Sequence, residues 1–105
     1  MFARVSRLEG LSPDRVSEMT QQFEEVQLDL LADKEGFEGV MVLVDRAGGQ
    51  ALGITLWSDE ATLAATEGVG AQIRADAAVT GGSDQTPGAE RYEVMLQLRR
   101  RWTKS

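Results

Sequence analysis

The side chains that could do chemistry in this chain are limited by two absences, because it contains no cysteine and no histidine. Thiol nucleophiles, thiolate metal sites and disulfides are therefore excluded, together with the commonest general base and the commonest metal ligand. The polar and aromatic candidates that remain on predicted strands can donate hydrogen bonds, pair with an anion or stack on a ring. They are Arg4, Ser6, Thr55, Trp57 and Tyr92, and none of them is assigned a catalytic role.

Arg4 is the candidate with the strongest argument from the residues alone. It lies midway along a first strand that is expected to be central, where an unpaired cation would be costly. Arg4 therefore needs either an anionic partner or a pocket. For Trp57 the residues alone favour a place in the core or in a dimer interface, and for Tyr92 they favour a rim position with its hydroxyl in water.

Carboxylates do not suggest a second site. Most of them fall within predicted helices or at helix starts, where they favour the helix dipole and solubility. Because no Asp or Glu cluster has the spacing of a cation site, we expect neither a metal nor a cofactor.

The net charge is −6, and arginines are concentrated only at Arg99, Arg100 and Arg101, which we interpret as a solvated strand end. Nucleic-acid binding is therefore disfavoured.

The length of 105 residues and the hydrophobic content of 42% predict one globular domain over residues 1–105. No apolar run approaches the length of a membrane-spanning helix, and the first residues lack the apolar core of a signal peptide. We therefore expect a cytoplasmic protein that does not enter a membrane.

A β-hairpin organises the predicted fold, with arms at Phe37–Asp45 and Gln50–Trp57 and a turn through Gly48-Gly49. The first arm contains the run Val40–Val44, which is apolar on both strand faces, whereas a strand with one wet face should alternate. Something must therefore cover each face of this strand.

The rest of the chain supplies two strands and two helical regions. A first strand, Phe2–Glu9, precedes a helix that begins at Ser12-Pro13, with Ser12 as its cap, and ends before Gly36. Its apolar stripe is Val16, Met19, Phe23, Val26 and Leu30. Ser58-Asp59-Glu60 starts a second helical region, kinked at Gly68 and Gly70, and a loop over residues 81–88 leads to a last strand, Glu90–Arg100.

This order predicts an α+β fold of the ferredoxin-like type, βαββαβ, in which a four-stranded antiparallel sheet carries both helices on one face. The opposite face would then expose one set of the apolar side chains in Val40–Val44. We expect a second copy of the chain to cover it, forming a homodimer through the sheet faces. Sequence parity does not decide which face of the first strand meets the helices.

Four segments resemble the antibiotic-biosynthesis-monooxygenase-like (ABM) family of the dimeric α/β-barrel superfamily. They are the Ser12-Pro13 helix start, residues 35–39 before the second strand, residues 55–61 at the end of the third, and residues 91–94 in the last. The resemblance spans nearly the whole chain and implies the dimeric α/β-barrel fold. Activities in this superfamily include cofactor-independent monooxygenation of polycyclic phenols and haem degradation, so fold alone does not decide the function.

The resemblance implies different things for the two activities. Haem-degrading members share the third-strand Trp, here Trp57, but their other three site residues would fall at Ser6, near Ala65 and within residues 68–72, and none of these matches. Haem degradation through a histidine-ligated iron is therefore disfavoured. Cofactor-free oxygenation needs a dry pocket that stabilises a phenol anion. In that case Trp57 would stack on the ligand, Arg4 would pair with the phenolate and Tyr92 would bond a carbonyl.

Two main hypotheses follow. The first is a cofactor-independent monooxygenase acting on an aromatic or polyketide-like small molecule, and the second is a non-catalytic dimeric module that binds a ligand or serves a stress response. A purely structural domain would instead have a solid core under the helices. In the dimer, a cavity of a few hundred cubic ångströms between the second helix and the sheet, lined by Arg4, Trp57 and Tyr92, would favour ligand binding, because small-molecule sites commonly measure about 300–1,000 Å³.

Overall fold

The computed structural model describes residues 1–98. Its strands are β1 (Phe2–Leu8), β2 (Phe37–Asp45), β3 (Gln50–Trp57) and β4 (Gly88–Glu93). Its helices are α1 (Val16–Gln22), α2 (Leu28–Ala32), α3 (Glu60–Ala65) and α4 (Glu67–Thr80). A 3₁₀ turn, Pro13–Arg15, precedes α1, and a π-helical turn, Phe23–Gln27, joins α1 to α2. No helix in this part of the chain has the length and apolar character needed to cross a bilayer.

The four strands form one sheet in the order β2-β3-β1-β4, and every neighbouring pair is antiparallel. This is the ferredoxin-like arrangement predicted from the sequence, with β1 at the centre as expected. The hairpin arms also match their predicted bounds. At the turn only Gly49 has a positive φ, of +64°, and a Cβ there would lie 2.7 Å from the carbonyl oxygen of Leu11. The chain after β1 therefore packs closely on the hairpin turn.

The register of β1 decides which of its side chains face the helices. Arg4 pairs with Thr55 and Ser6 pairs with Gly53, and these residues share the helix-facing side of the sheet. The alternate residues lie on the opposite face, where Ala3 pairs with Leu56. The apolar side chains of this bare face are Ala3, Val5, Met41, Leu43, Leu52, Ile54 and Leu56. Met41 and Leu43 are 57% and 44% exposed, as the apolar character of β2 on both faces predicts.

The first helical region contains two departures from the prediction. Ser12 occupies the position before the 3₁₀ turn but makes no side-chain cap, and its backbone N–H instead donates to the Gly81 carbonyl at 2.9 Å. The expected burial of Val26 and Leu30 is wrong, since they are 59% and 53% exposed. A π-helical turn contains more residues than an α-helical turn. The buried positions of this helical region therefore move by one residue, from Val26 and Leu30 to Gln27 and Leu31.

The second helical region breaks at Thr66, between α3 and α4, and not at Gly68 and Gly70 as predicted. Both glycines lie inside α4. At this break the carbonyl of Leu63, near the end of α3, accepts hydrogen bonds from Arg4 Nη2 at 2.7 Å and from Thr66 Oγ1 at 2.9 Å. It also accepts the Thr66 backbone N–H at 3.1 Å, so a strand residue and the last turn of α3 meet at one acceptor. The start of α3 is as predicted, because the Asp59 side chain accepts from the Thr62 N–H.

The last strand is shorter than the predicted Glu90–Arg100. β4 ends at Glu93, and the final contact with the neighbouring strand is the bond from Val94 N–H to the Met1 carbonyl at 2.9 Å. Residues 94–98 continue beyond this bond without strand pairing. Arg99, Arg100 and Arg101 lie outside the described residues.

Buried apolar residues form two clusters between the sheet and the helices. One joins Leu8, Leu11, Val16, Met19, Ala51 and Ala78. The other centres on Trp57 and Leu63, both fully buried, with Leu31 and Ile73 around them. Between the two clusters lies the cavity described next.

Candidate functional site

A cavity of about 70 Å³ lies between the helix-facing side of the sheet and the helices, and it is partly open to solvent. Its walls are mostly apolar and come from β1, β2 and β3, the first helical region and α4. The larger apolar contributors are Leu8, Met19, Phe23, Val40, Val42 and Ile73. Its polar side chains are Arg4, Ser6, Thr55 and Arg74. Three of the five residues singled out from the sequence therefore meet in one place.

Arg4 is held in this wall by a set of contacts made through one nitrogen. Its side chain is almost completely buried, with 2% of the residue exposed. Nη2 donates to the Leu63 carbonyl at 2.7 Å and to Thr66 Oγ1 at 3.1 Å. Nε is buried and has no hydrogen-bond partner within residues 1–98. Such a donor is costly to bury unpaired, and here it belongs to a residue that lines an apolar cavity.

Glu67 supplies the anionic partner that the sequence argument required for Arg4. Its Oε1 lies 3.3 Å from Arg4 Nη2 and 2.7 Å from Arg91 Nη2, so one carboxylate is shared between two guanidinium groups. Burial raises the pKa of the Glu67 carboxyl, but the charges of Arg4 and Arg91 outweigh it and hold the pKa below its usual value. Glu67 is therefore ionised at neutral pH, and it joins the start of α4 to β4.

Arg74 is the second cation of the cavity, and it reaches in from α4. Its Nη1 donates a long hydrogen bond, 3.4 Å, to Ser6 Oγ. In the described part of the chain Arg74 forms no ion pair with Asp or Glu. Burial and the positive charge of Arg4 lower the pKa of the Arg74 guanidinium, and the more distant Glu67 only partly offsets them. The site therefore contains a cation whose charge is not balanced locally.

Gly70 allows these two guanidinium groups to approach the same point. A Cβ on Gly70 would lie 2.8 Å from Arg4 Nη1 and 3.3 Å from Arg74 Nη1, closer than ordinary side-chain contact. The glycine sits inside α4, where it costs helix stability relative to alanine. The space that it leaves is therefore used by the two cations.

Trp57 supports the site without lining it. The side chain is fully buried in the second core cluster, which agrees with the structural interpretation reached from the sequence. Its Nε1 donates to Thr55 Oγ1 at 2.9 Å, and the Arg4 guanidinium lies 5.9 Å from its ring centroid, within cation–π range. Trp57 thus orients Arg4 and Thr55, and it does not offer its ring to a ligand in the cavity.

Tyr92 is separated from the other candidates. It pairs with Ala3 across the sheet and therefore lies on the bare face, half exposed, with its hydroxyl bonded to the Glu90 carboxylate. That contact raises the pKa of the Tyr92 hydroxyl. Its neighbour Arg91 takes the helix-facing position beside Arg4 instead. Tyr92 therefore does not line this cavity in the single chain.

Sequence reasoning missed Arg74 and Glu67. A signal for Arg74 was present, because Gly70, Ile73, Arg74 and Ala77 follow helical spacing and Arg74 is the one charged residue among them. Glu67 gave no such signal, since a carboxylate in the first turn of a helix is expected on dipole grounds alone.

The chemistry available here is that of binding and stabilising an anion. Guanidinium groups donate several hydrogen bonds but do not accept protons near neutral pH, and the hydroxyls of Ser6 and Thr55 are weak acids. Among residues 1–98, no carboxylate lines the cavity. In the portion of the chain described by the structure, no group of three or more Asp and Glu side chains is placed to hold a metal ion.

Neither a protein-family model nor a curated protein sequence matches the chain. Solved structures do share its fold. A monooxygenase from the gene ActVA-Orf6 of Streptomyces coelicolor, in complex with nanaomycin D, is 13% identical with a TM-score of 0.74, covering 95% of this chain and 92% of that one. SnoaB, a cofactor-independent oxygenase from Streptomyces nogalater, is 15% identical with a TM-score of 0.62, covering 94% and 97%.

A haem degrader has the same fold. MhuD from Mycobacterium tuberculosis, with two haems bound in its active site, is 14% identical with a TM-score of 0.66, covering 94% of this chain and 100% of that one. At these identities the similarity establishes the fold, and the ABM-like fold expected from the sequence is confirmed. Because the same fold carries both activities, the choice between them depends on the site.

Proposed function

We propose that this protein binds a small aromatic molecule in the cavity between sheet and helices, with an oxygen of that molecule held by Arg4. The observation that carries the proposal is the unpartnered Nε of Arg4, a buried donor on a residue that lines an apolar cavity. Buried donors of this kind are normally paired, and a ligand oxygen would supply the partner.

The walls suit an apolar ring, and the volume limits its size. An apolar cavity of about 150 Å³ holds benzene, whereas this one measures about 70 Å³ in a single chain. The few hundred cubic ångströms expected from the sequence for a ligand site refer to the dimer. The oxygen and the adjoining edge of a ring would enter, and the remainder would extend through the open side.

A homodimer is part of this proposal. The bare face carries seven apolar side chains and belongs to the same central strands that line the cavity, so covering it would stabilise the sheet that supports the site. A second copy with the same face is the simplest cover because a twofold interface is self-complementary.

A cytoplasmic location stays a prediction of the sequence, and cell fractionation would test it.

Cofactor-independent oxygenation of the bound molecule is the second candidate. It is favoured by a buried cation in an apolar cavity, which would stabilise the phenolate form of an anthrone or hydroquinone, the form that reduces molecular oxygen. With an anthrone, one oxygen atom would become the new carbonyl, and the other would leave as water with the two hydrogens of the oxidised CH₂. The monooxygenase and the oxygenase that share the fold support this candidate.

Binding without catalysis is favoured by the cavity's lack of a proton acceptor, because no Asp or Glu side chain lines it. Haem degradation is not proposed, since the chain has no histidine to ligate the iron.

Calorimetric titration with naphthol tests the binding proposal. Ala77→Phe would fill the cavity, whereas Val79→Phe adds the same ring at a position of α4 that is 72% exposed. We expect the wild type and Val79→Phe to bind naphthol and Ala77→Phe to lose binding while keeping its circular dichroism spectrum. Equal binding by both variants, or a wild type that binds neither naphthol nor its carboxylate and amide analogues, would overturn the proposal.

Oxygen uptake distinguishes the two candidates. An oxygen electrode with a panel of anthrones and hydroquinones would record consumption above the uncatalysed rate if the protein is an oxygenase. Binding of these molecules without added consumption would establish the non-catalytic module instead.

A further inference from the structure

The charge balance of the cavity specifies more than an aromatic ligand. Arg4 and Arg74 line the cavity, and the carboxylate of Glu67 is shared between Arg4 and Arg91, which lies outside the lining. Arg74 lies apart from that ion pair and forms none of its own within residues 1–98. An occupant that is neutral at physiological pH would leave this excess positive charge in an apolar setting.

The position of Arg74 places its charge where a ligand would meet it. Its Nη1 and the Nη1 of Arg4 both lie within 3.3 Å of the point where a Cβ of Gly70 would stand. Its one side-chain hydrogen bond, to Ser6 Oγ, is long at 3.4 Å and leaves most of the guanidinium donors unused. Two guanidinium groups that converge on one small space form a receptor for a planar anion.

A phenol is a poor match for this receptor as the ground-state ligand. Phenolic hydroxyls ionise near pH 10, so a phenol enters the site neutral, whereas carboxylic acids ionise near pH 4 and arrive with their charge. A carboxylate is also planar and accepts two parallel N–H bonds from a guanidinium group. The cavity volume of about 70 Å³ admits a carboxylate and the edge of a ring.

We propose that the ligand is an aromatic carboxylic acid, and that Arg74 is the residue that selects it by binding the carboxylate together with Arg4. This inference rests on the proposed function, because it names the ligand class of the same cavity. Arg4 also has structural contacts, whereas Arg74 is half-buried and held only by its bond to Ser6. Arg74 is therefore the residue whose replacement separates recognition from folding.

Naphthoate and naphthamide, substituted at the same ring position, are the probes for the test, because they differ mainly in charge. We expect the wild type to bind naphthoate about ten- to a hundred-fold more tightly than naphthamide, the range for a charge-assisted hydrogen-bonded pair. Arg74→Gln should bring the ratio to near one by weakening naphthoate alone. Arg74→Lys keeps the positive charge but loses the paired N–H donors of the guanidinium group. It should therefore leave a smaller preference for naphthoate over naphthamide. Arg15→Gln is the control, since it removes the same charge at an exposed position outside the cavity.

The outcomes separate the two proposals. If both probes bind the wild type equally, the carboxylate inference is overturned and the binding proposal stands. If naphthoate keeps its preference in Arg74→Gln, the assignment to Arg74 is overturned. If the wild type binds neither these probes nor naphthol, the proposed function fails and the inference fails with it. Thermal unfolding of each variant shows whether a loss of binding reflects a loss of fold.

Discussion

The guanidinium of Arg4, on the central strand, donates a 2.7 Å hydrogen bond to the carbonyl of Leu63 near the end of α3, 59 residues further along the chain. This one contact joins the central strand to α3 and fixes a buried cation in the wall of a cavity. The structural and binding roles of Arg4 are therefore joined in the same side chain.

Replacement of Arg4 should destabilise the fold strongly. Arg4→Ala removes the donor to Leu63 and Thr66 and leaves Glu67 without one of its two cations. We expect a loss of about 3–5 kcal/mol in the free energy of unfolding, the cost of removing one partner of a buried pair. Urea denaturation measures it. Arg7→Ala is the matched control on the same strand, because Arg7 is exposed and its ion pair with Glu90 is 3.8 Å long, so the change should be under about 1 kcal/mol. Equal losses for the two variants would contradict the role given to Arg4.

Glycines 68 and 70 should respond oppositely to the same substitution. Gly70→Ala places a Cβ 2.8 Å from Arg4 Nη1, so we expect a loss of about 1–3 kcal/mol together with weaker ligand binding. Gly68→Ala meets no atom within 4 Å and should stabilise α4 by roughly 0.5–1 kcal/mol. Thermal and urea unfolding of the pair provide the comparison. A neutral Gly70→Ala would show that the space above Arg4 is not used.

The ion pairs of Glu67 should make part of the stability depend on pH. Because the folded state lowers the pKa of Glu67, the stabilisation is complete above the usual value near 4.5 and is lost as the pH falls through the lower folded value. The Glu67 side chain is 42% exposed, so solvent screening reduces the expected cost of Glu67→Gln to about 1 kcal/mol at pH 7. The difference from the wild type should shrink as the pH is lowered below about 4.5. A difference that stays constant from neutral to acidic pH would argue against the ion pairs.

The proposed homodimer should dissociate when charge is placed on the bare face. Met41→Glu and Leu43→Glu put carboxylates at side chains that are 57% and 44% exposed in the single chain. Buried in an apolar interface they would be costly, so light scattering at micromolar concentration should give a dimer for the wild type and a monomer for the double variant. Val79→Glu, on the outside of α4, should remain dimeric. A monomeric wild type would remove the dimer from the proposal.

The fold was predictable because local signals agreed with one another. The hairpin bounds, the start of α3 at Asp59 and the order of elements all follow from turn residues, caps and strand alternation. The errors occur where a distant residue acts on the local chain. Arg4 contacts α3 beside the break at Thr66, and the last bond of β4 to its neighbour is the one from Val94 to Met1.

The site was predictable only in part. Arg4 was identified because a cation at the centre of a sheet requires an explanation, but its partner Glu67 resembles any carboxylate at a helix start. The sequence alone groups Tyr92 with Arg4, because the alternation of residues along an edge strand does not give its register with the neighbouring strand. The register with β1 assigns the helix-facing position to Arg91 and not to Tyr92.

The contacts of Arg4 have a consequence for how the specificity of this cavity can evolve. Nη2 of Arg4 is committed to Leu63, Thr66 and Glu67, so selection for folding constrains this residue whatever the ligand is. Arg74 makes one long side-chain hydrogen bond, to Ser6, and has no comparable set of structural contacts. Descendants of this chain could therefore change the charge of their ligand by substitutions at the Arg74 position while inheriting Arg4 unchanged. A survey of related sequences should then find variation at the position of Arg74 and constancy at the position of Arg4.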